Sequence, residues 1–198
     1  MSVRRLHPEQ PKSFAFNQKN LSWAKKQIAK YPKGRQASAV LPLLWRAQEQ
    51  EGWLSEAAMK VVGDMLDMAP IRVLEVASFY TMFTLSPVGE HFIQLCGTTP
   101  CWLRGADRLK EMCKEHIGEE RVLSKDGKFS WMEVECLGAC VNAPMVQIND
   151  RYFEDLDEKT FTQLLEDLKE GKKITAGPQN SRFSSEPERD KPKGKQDA

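Results

Sequence analysis

Cys96 and Cys101 enclose Gly97-Thr98-Thr99-Pro100, and Cys136 and Cys140 enclose Leu137-Gly138-Ala139. The spacings are C-x4-C and C-x3-C. Four thiols in two close pairs, on turns of small residues, are the donor set of a metal centre assembled from two loops. The glycines, threonines and Ala139 leave room for hydroxyl and backbone N–H groups to reach sulfur. Such hydrogen bonds are a main lever on the potential of an iron–sulfur centre.

Several centres compete for this donor set. Structural zinc accepts four thiolates but favours C-x2-C knuckles. A thioredoxin-type dithiol needs C-x-x-C and would leave two cysteines idle. A Rieske centre needs two histidines, whereas His7, His91 and His116 stand apart from the cysteine loops. A two-iron cluster with one cysteine pair per iron fits best, though not with plant-type ferredoxin spacing. Spacing alone leaves iron–sulfur and zinc open. Cys113 falls on an apolar helical stripe and reads as a core thiol.

The elements that must position these loops follow from caps and periodicity. Residues 1–19 lack a period and read as an extended arm. A helix is predicted over 21–31, capped by Asn20 and stopped by Pro32 and Gly34. A second spans 37–50, with Leu41, Leu44, Trp45 and Gln48 on one side and Pro42 either in its first turn or kinking it. Ser55 caps a third over 56–66, striped by Ala58, Val61, Val62, Met65 and Leu66. Pro70 opens a fourth over 71–80, with Val73, Val76, Ala77 and Tyr80 at helical spacing. The aromatic run Phe79-Tyr80-Thr81-Met82-Phe83 reads as core by default, with docking on a partner as the alternative.

The break at Leu85-Ser86-Pro87-Val88-Gly89 is the expected domain boundary. A strand over 91–96 then delivers Cys96. Thr99 and Pro100 supply a cap and a first-turn proline, so Cys101 starts a helix running to about 117, with Trp102, Ala106, Leu109 and Cys113 on one stripe. A thiol there should have a lowered pKa from the helix dipole. Residues 121–123 and 129–135 flank the turn Lys125-Asp126-Gly127-Lys128 as a hairpin. Strands over 145–148 and 151–153 follow, then an amphipathic helix over 157–170 (Phe161, Leu164, Leu165, Leu168) stopped by Gly171. From 173 to 198 the composition predicts a disordered tail. The fold class is thus α+β or α/β, with a helical bundle over 20–86, a β-α-β-β-α domain over 87–172, and the tail.

Composition excludes other classes. Charged residues make up 29% of the chain and the net charge is +1, so no basic bias toward nucleic acid exists. Short helices and Arg72 suggest a DNA-binding helix-turn-helix, but there is no basic stripe to support it. Lys191, Lys193 and Lys195 read as a solvated end. No apolar run reaches the roughly 18 residues of a membrane span. No secretory signal is expected at the start, and Glu9 with two prolines argues against a mitochondrial presequence. An odd cysteine count without a signal points to a reducing compartment.

The string Gly97-Thr98-Thr99-Pro100-Cys101, then Val134-Glu135-Cys136-Leu137-Gly138-Ala139-Cys140 and Asn142-Ala143-Pro144, resembles the thioredoxin-like [2Fe-2S] ferredoxin family. Gly52-Trp53-Leu54 and Val76-Ala77-Ser78-Phe79-Tyr80-Thr81-Met82-Phe83 resemble, more narrowly, the helical module of its 24-kDa-type members, which serve respiratory complex I (NADH–quinone oxidoreductase). The resemblance covers roughly residues 14–171. It implies that Cys96 and Cys101 hold one iron of a single [2Fe-2S] cluster and Cys136 and Cys140 the other. It also implies a cis peptide before Pro144. No dinucleotide fingerprint or phosphate loop is present, so FMN and NADH would sit on a partner flavoprotein of the complex, among other peripheral-arm iron–sulfur proteins. The implied place is cytoplasmic, peripheral on the inner face of a bacterial inner membrane. Related components of NAD-linked hydrogenases or formate dehydrogenases, and a zinc-stabilised interaction module, are the alternatives.

Overall fold

A computed structural model describes residues 5–180 and 182–187, and in it the chain divides after Val88 into two compact units. In the first, α1 (Gln18–Ile28), α2 (Val40–Glu51), α3 (Glu56–Leu66) and α4 (Pro70–Phe79) surround a core of Leu43, Leu44, Leu54, Val62, Val73 and Phe83. The helix starts follow local chemistry. The α1 start lies earlier than Asn20, because Asn17 is the cap and its side chain accepts from the Asn20 amide. The 3₁₀ turn Gln36–Ala39 precedes α2, placing Pro42 in the first turn, where it costs no helical hydrogen bond. Gly52 ends α2 in the left-handed region at φ 83°, a conformation glycine adopts without strain.

The inward faces differ in detail from the predicted stripes. Helix α2 buries Val40, Leu43, Leu44 and Ala47, while Trp45 is exposed. Gln48 braces rather than packs: its amide donates to the Met82 carbonyl and accepts from the Thr84 amide. The aromatic run is split, with Phe83 fully buried and Phe79 77% exposed. The arm is not free either. The His7 amide donates to the Leu85 carbonyl, the Gln10 side chain accepts from the Glu56 amide, and Phe14 and Phe16 pack on the helical core.

Ser55 is buried and its hydroxyl accepts from the Ala58 amide at 3.2 Å, closing the start of α3. Ser55→Ala is expected to destabilise the helical unit by about 1 kcal/mol. A lowered denaturant midpoint at unchanged slope would register it; no shift would mean that the cap is dispensable.

The second unit is a five-stranded mixed sheet of order β2-β1-β3-β4-β5, formed by β1 (His91–Cys96), β2 (Phe129–Val134), β3 (Val146–Ile148), β4 (Arg151–Glu154) and β5 (Gly177–Pro178). Strand β1 pairs parallel with β2 and antiparallel with β3. Helices α6 (Ala106–His116) and α7 (Glu158–Lys169) pack together, and α6 lies against β1. Asp157 and Thr160 form a reciprocal capping box at the start of α7. The core joins Ile93 and Leu95, Leu109 and Cys113, Trp131, and Phe161 and Leu164.

Three expectations for this unit need correction. The helix after Cys101 is two helices: α5 (Thr99–Leu103), capped at Thr98, and α6. They meet at Gly105, at φ 99°. The turn takes Trp102 off the Ala106–Leu109–Cys113 stripe and leaves it 54% exposed. The expected hairpin lacks its first arm. Arg121 has φ 65°, which breaks an extended strand, and 121–124 meets β2 through isolated bonds: the Arg121 amide donates to the Trp131 carbonyl, the Ser124 amide to the Phe129 carbonyl, and the Phe129 amide to the Ser124 hydroxyl. Finally, part of the segment assigned to the tail is folded: β5 pairs parallel with β4, and the Gln179 amide donates to the Glu154 carbonyl. Ser181, residues 188–198 with Lys191, Lys193 and Lys195, and residues 1–4 lie outside the described residues.

Candidate metal centre

The two cysteine loops lie together at one end of the sheet. Cys96 ends β1, beside Val134 at the end of β2, so the parallel pairing carries both chains to the same edge. Cys101 sits in α5 five residues on. Beyond β2, Cys136 and Cys140 occupy the loop that closes in the 3₁₀ turn Cys140–Asn142 and the cis Ala143–Pro144 peptide before β3. All five cysteines are free thiols; Cys96 and Cys101 are buried, whereas Cys136 and Cys140 are exposed. The centre is therefore half in the core and half at the surface.

Each pair is close, and the loops touch. The Cys136 and Cys140 sulfurs are 3.6 Å apart. Two thiolates on one tetrahedral metal with bonds of about 2.3 Å stand about 3.8 Å apart, so this pair has the spacing of ligands to a single ion. Cys96 and Cys101 are near enough to alter each other's ionisation. The Leu137 amide, from the second loop, acts on Cys96 and the Met145 amide on Cys101, each favouring the ionised thiol. The Thr98 hydroxyl, from the first loop, lies 3.4 Å from Cys96 sulfur and also favours the thiolate of Cys136 in the second. Among the described residues no group of three or more His, Cys, Asp or Glu side chains converges to hold one ion. A two-iron centre asks only for two thiolates per ion, and the residues present fit it.

The proton affinities split within each pair. Burial pushes Cys96 up, but its Thr98 hydroxyl, Leu137 and Thr98 amides and Cys101 thiol outweigh that and draw it below an ordinary thiol. Cys101 is pushed up to about 12, by burial first and then by Cys96 as hydrogen-bond partner and as charge. That reverses the dipole-lowered value predicted for it. Helix α5 has five residues, and its weak dipole loses to burial. Cys136 is lowered, chiefly by the Gly138 amide, and Cys140 is raised, chiefly by its bond with Cys136. In each pair one thiol is the readier to ionise, and metal binding there would displace the proton of the second. Cys113 is raised to about 12 by burial alone, in keeping with a core thiol.

Some contributors carry no sequence signal. Glu133 lies against Gly97, where a Cβ would collide with its carboxylate, and Lys110 bonds the other side of that carboxylate. Tyr152 donates its hydroxyl to the Leu137 carbonyl at 2.8 Å, holding the second loop from β4. Strand alternation places Tyr152 on one face but cannot say what it meets. Trp102, Leu103 and Val141, close in sequence to the ligand-loop cysteines, are large, apolar and exposed.

Comparison with known proteins gives the family. A model of the thioredoxin-like [2Fe-2S] ferredoxin family matches residues 24–169. The E 1 subunit of NADH-quinone oxidoreductase from Rhizobium meliloti (strain 1021) is 53% identical over 193 residues, covering 94% of this chain and 70% of that protein. The corresponding E subunit of Rickettsia bellii (strain RML369-C) is 52% identical over 159 residues, covering 79% and 95%. NADH dehydrogenase [ubiquinone] flavoprotein 2, mitochondrial, of Dictyostelium discoideum is 47% identical over 175 residues, covering 87% and 71%. Among solved structures, an air-oxidized NAD+-reducing [NiFe]-hydrogenase aligns with a TM-score of 0.58 at 22% identity, a likeness of fold. The alignment takes in 67% of this chain and spans only 23% of the hydrogenase chain. The chain belongs to the thioredoxin-like [2Fe-2S] ferredoxin family, in the branch represented by the E-type subunits of NADH-quinone oxidoreductase.

Proposed function

We propose that the chain is the electron-transfer subunit of an NADH–quinone oxidoreductase, holding one [2Fe-2S] cluster on Cys96, Cys101, Cys136 and Cys140. The carrying observation is that two cysteine loops meet, with the exposed pair at the 3.6 Å spacing of two ligands on one metal. When bound, such a cluster accepts and returns single electrons. The protein's own share is to hold and tune it. The Leu137 and Met145 amides direct N–H donors at Cys96 and Cys101, an arrangement that favours the ionised, metal-binding form. Burial of Cys96 and Cys101 keeps water from the inner half, while Cys136 and Cys140 leave the outer half open to a partner.

Hydride chemistry belongs elsewhere, on a partner flavoprotein carrying FMN and NADH with which electrons are exchanged one at a time. The exposed Trp102, Leu103 and Val141 suit a surface that such a partner covers. No helix among the described residues is long and apolar enough to cross a membrane. As a subunit of that complex the chain would take a peripheral place on the cytoplasmic side of a bacterial inner membrane.

The purified full chain should be reddish-brown, contain two irons and no flavin, and give a paramagnetic signal on one-electron reduction. A colourless zinc protein would sink the proposal in favour of a zinc-stabilised module. Isolation of the tagged chain from its host should bring down a flavoprotein with quinone reductase activity. Recovery of a hydrogenase or formate dehydrogenase instead would move the cluster to that assembly.

A further inference from the structure

We propose that Arg182 is a positioning residue for the metal centre, returned by the C-terminal segment to fasten the second cysteine loop from behind. The inference rests on the cluster assignment above. After β5 the chain runs back across the loop that follows Cys140. The Arg182 guanidinium donates to the carbonyl of Val141, the residue next to Cys140, at 3.2 Å, and to the Asn142 side-chain oxygen at 3.4 Å. It also forms an ion pair with Asp155 at 3.3 Å, with both side chains at least nine-tenths buried. Asn142 is 3% exposed; its side-chain amide donates to Glu154 at 2.6 Å and to the Ser184 carbonyl at 2.8 Å. The Asp155 amide donates to the Asn142 carbonyl at 2.8 Å. A buried cation, a buried anion and a buried amide therefore converge on two residues directly after a cysteine ligand.

The chemistry fits anchoring. A guanidinium presents several donors in a rigid fork, so one Arg can hold a carbonyl, an amide oxygen and a carboxylate at once. Its charge is balanced by Asp155, so its main effect is on the loop rather than on the field at the cluster. Tyr152 grips the same loop at Leu137, and Arg182 grips it at Val141. Cys140 lies between the two anchors. With both ends fixed, its sulfur keeps its place opposite Cys136 without being fixed itself.

The test compares wild type, Arg182→Gln, Arg182→Lys and the double variant Arg182→Gln/Asp155→Asn, all as full chains. Two quantities are read: the rate of cluster loss to an iron chelator, and amide hydrogen exchange at Asn142, Ala143 and Asp155. Losing charged hydrogen bonds of this kind predicts about tenfold faster release and exchange in Arg182→Gln. The reduced-cluster paramagnetic spectrum should shift as well, and Arg182→Lys should recover most of each change. The double variant should stay fast, because the grip on Val141 is still missing. Unchanged rates in Arg182→Gln, or full restoration in the double variant, would overturn the role. If Arg182→Gln does not fold, Arg182→Lys decides alone: release about two- to threefold faster supports the anchor, and wild-type rates reject it. A wild type without iron refutes the cluster assignment instead, and hydrogen exchange still judges the anchor.

Discussion

Cys136→Ala is expected to abolish the visible absorption and the paramagnetic signal of the reduced centre while leaving the fold intact. Cys136 is exposed and packs into neither core, so its truncation removes a ligand and almost nothing else. Its partner sulfur at 3.6 Å would then bind its iron alone, and a two-iron cluster with three protein thiolates is open to water and to loss. Outer-sphere changes around metal sites already cost roughly 10–100-fold in affinity, and a ligand costs more. Cys101→Ala should lose the same signals with a lower unfolding midpoint, since Cys101 belongs to the buried cluster that includes Ala106 and Leu109. Cys113→Ala is the control: the side chain is fully buried on α6, so the cluster should persist at a modest stability cost of about 1 kcal/mol. An unaltered spectrum in Cys136→Ala would mean that the ligands are misassigned.

Trp131→Ala should be the most damaging core substitution in the second unit. The ring is fully buried in β2, and its indole N–H donates to the Gly118 carbonyl at 2.8 Å. Its backbone pairs with Ile93 of β1 and accepts from the Arg121 amide. Replacing a buried Trp by Ala costs about 3–5 kcal/mol through lost burial and an unfilled cavity. That is a large share of the roughly 5–15 kcal/mol that holds a domain together. Because β1 leads directly into Cys96, loss of this packing should also loosen cluster retention. Trp131→Phe keeps most of the apolar bulk and strands only the Gly118 carbonyl, for about 1–3 kcal/mol. Urea titration followed by circular dichroism separates the cases. A Trp131→Ala loss below about 1 kcal/mol would contradict the packing described.

How much of this was legible in the chain depends on how local each feature is. Ser55 and Pro70 announce helix starts because a cap or a first-turn proline acts within one turn, and α3 and α4 begin where those residues place them. The strand into Cys96 and the turn at Asn149 were readable for the same reason. Reading failed where a backbone break or a distant contact overrode the apolar pattern. Gly105 divides a helix that the apolar stripe makes continuous. Arg121, at positive φ, ends a hairpin arm whose composition favours a strand, and β2 finds β1 as its parallel neighbour. Gln48 looks like a face residue and works as a brace between α2 and the segment holding Met82 and Thr84.

At the centre itself, the chain alone determined the donor type, the pairing of cysteines on two small-residue loops, and the family to which that pattern belongs. These are matters of residue identity and short spacing, which no packing can change. Only the tertiary structure decided that one pair is buried and the other exposed, that the Leu137 amide of the second loop acts on Cys96 of the first, and that burial rather than a helix dipole governs Cys101. Only it brought Arg182, from a stretch whose composition predicts disorder, onto the carbonyl of Val141. A hydrogen bond across 41 residues has no periodicity to betray it. It forms because a guanidinium paired with the buried carboxylate of Asp155 also reaches the carbonyl of the second cysteine loop.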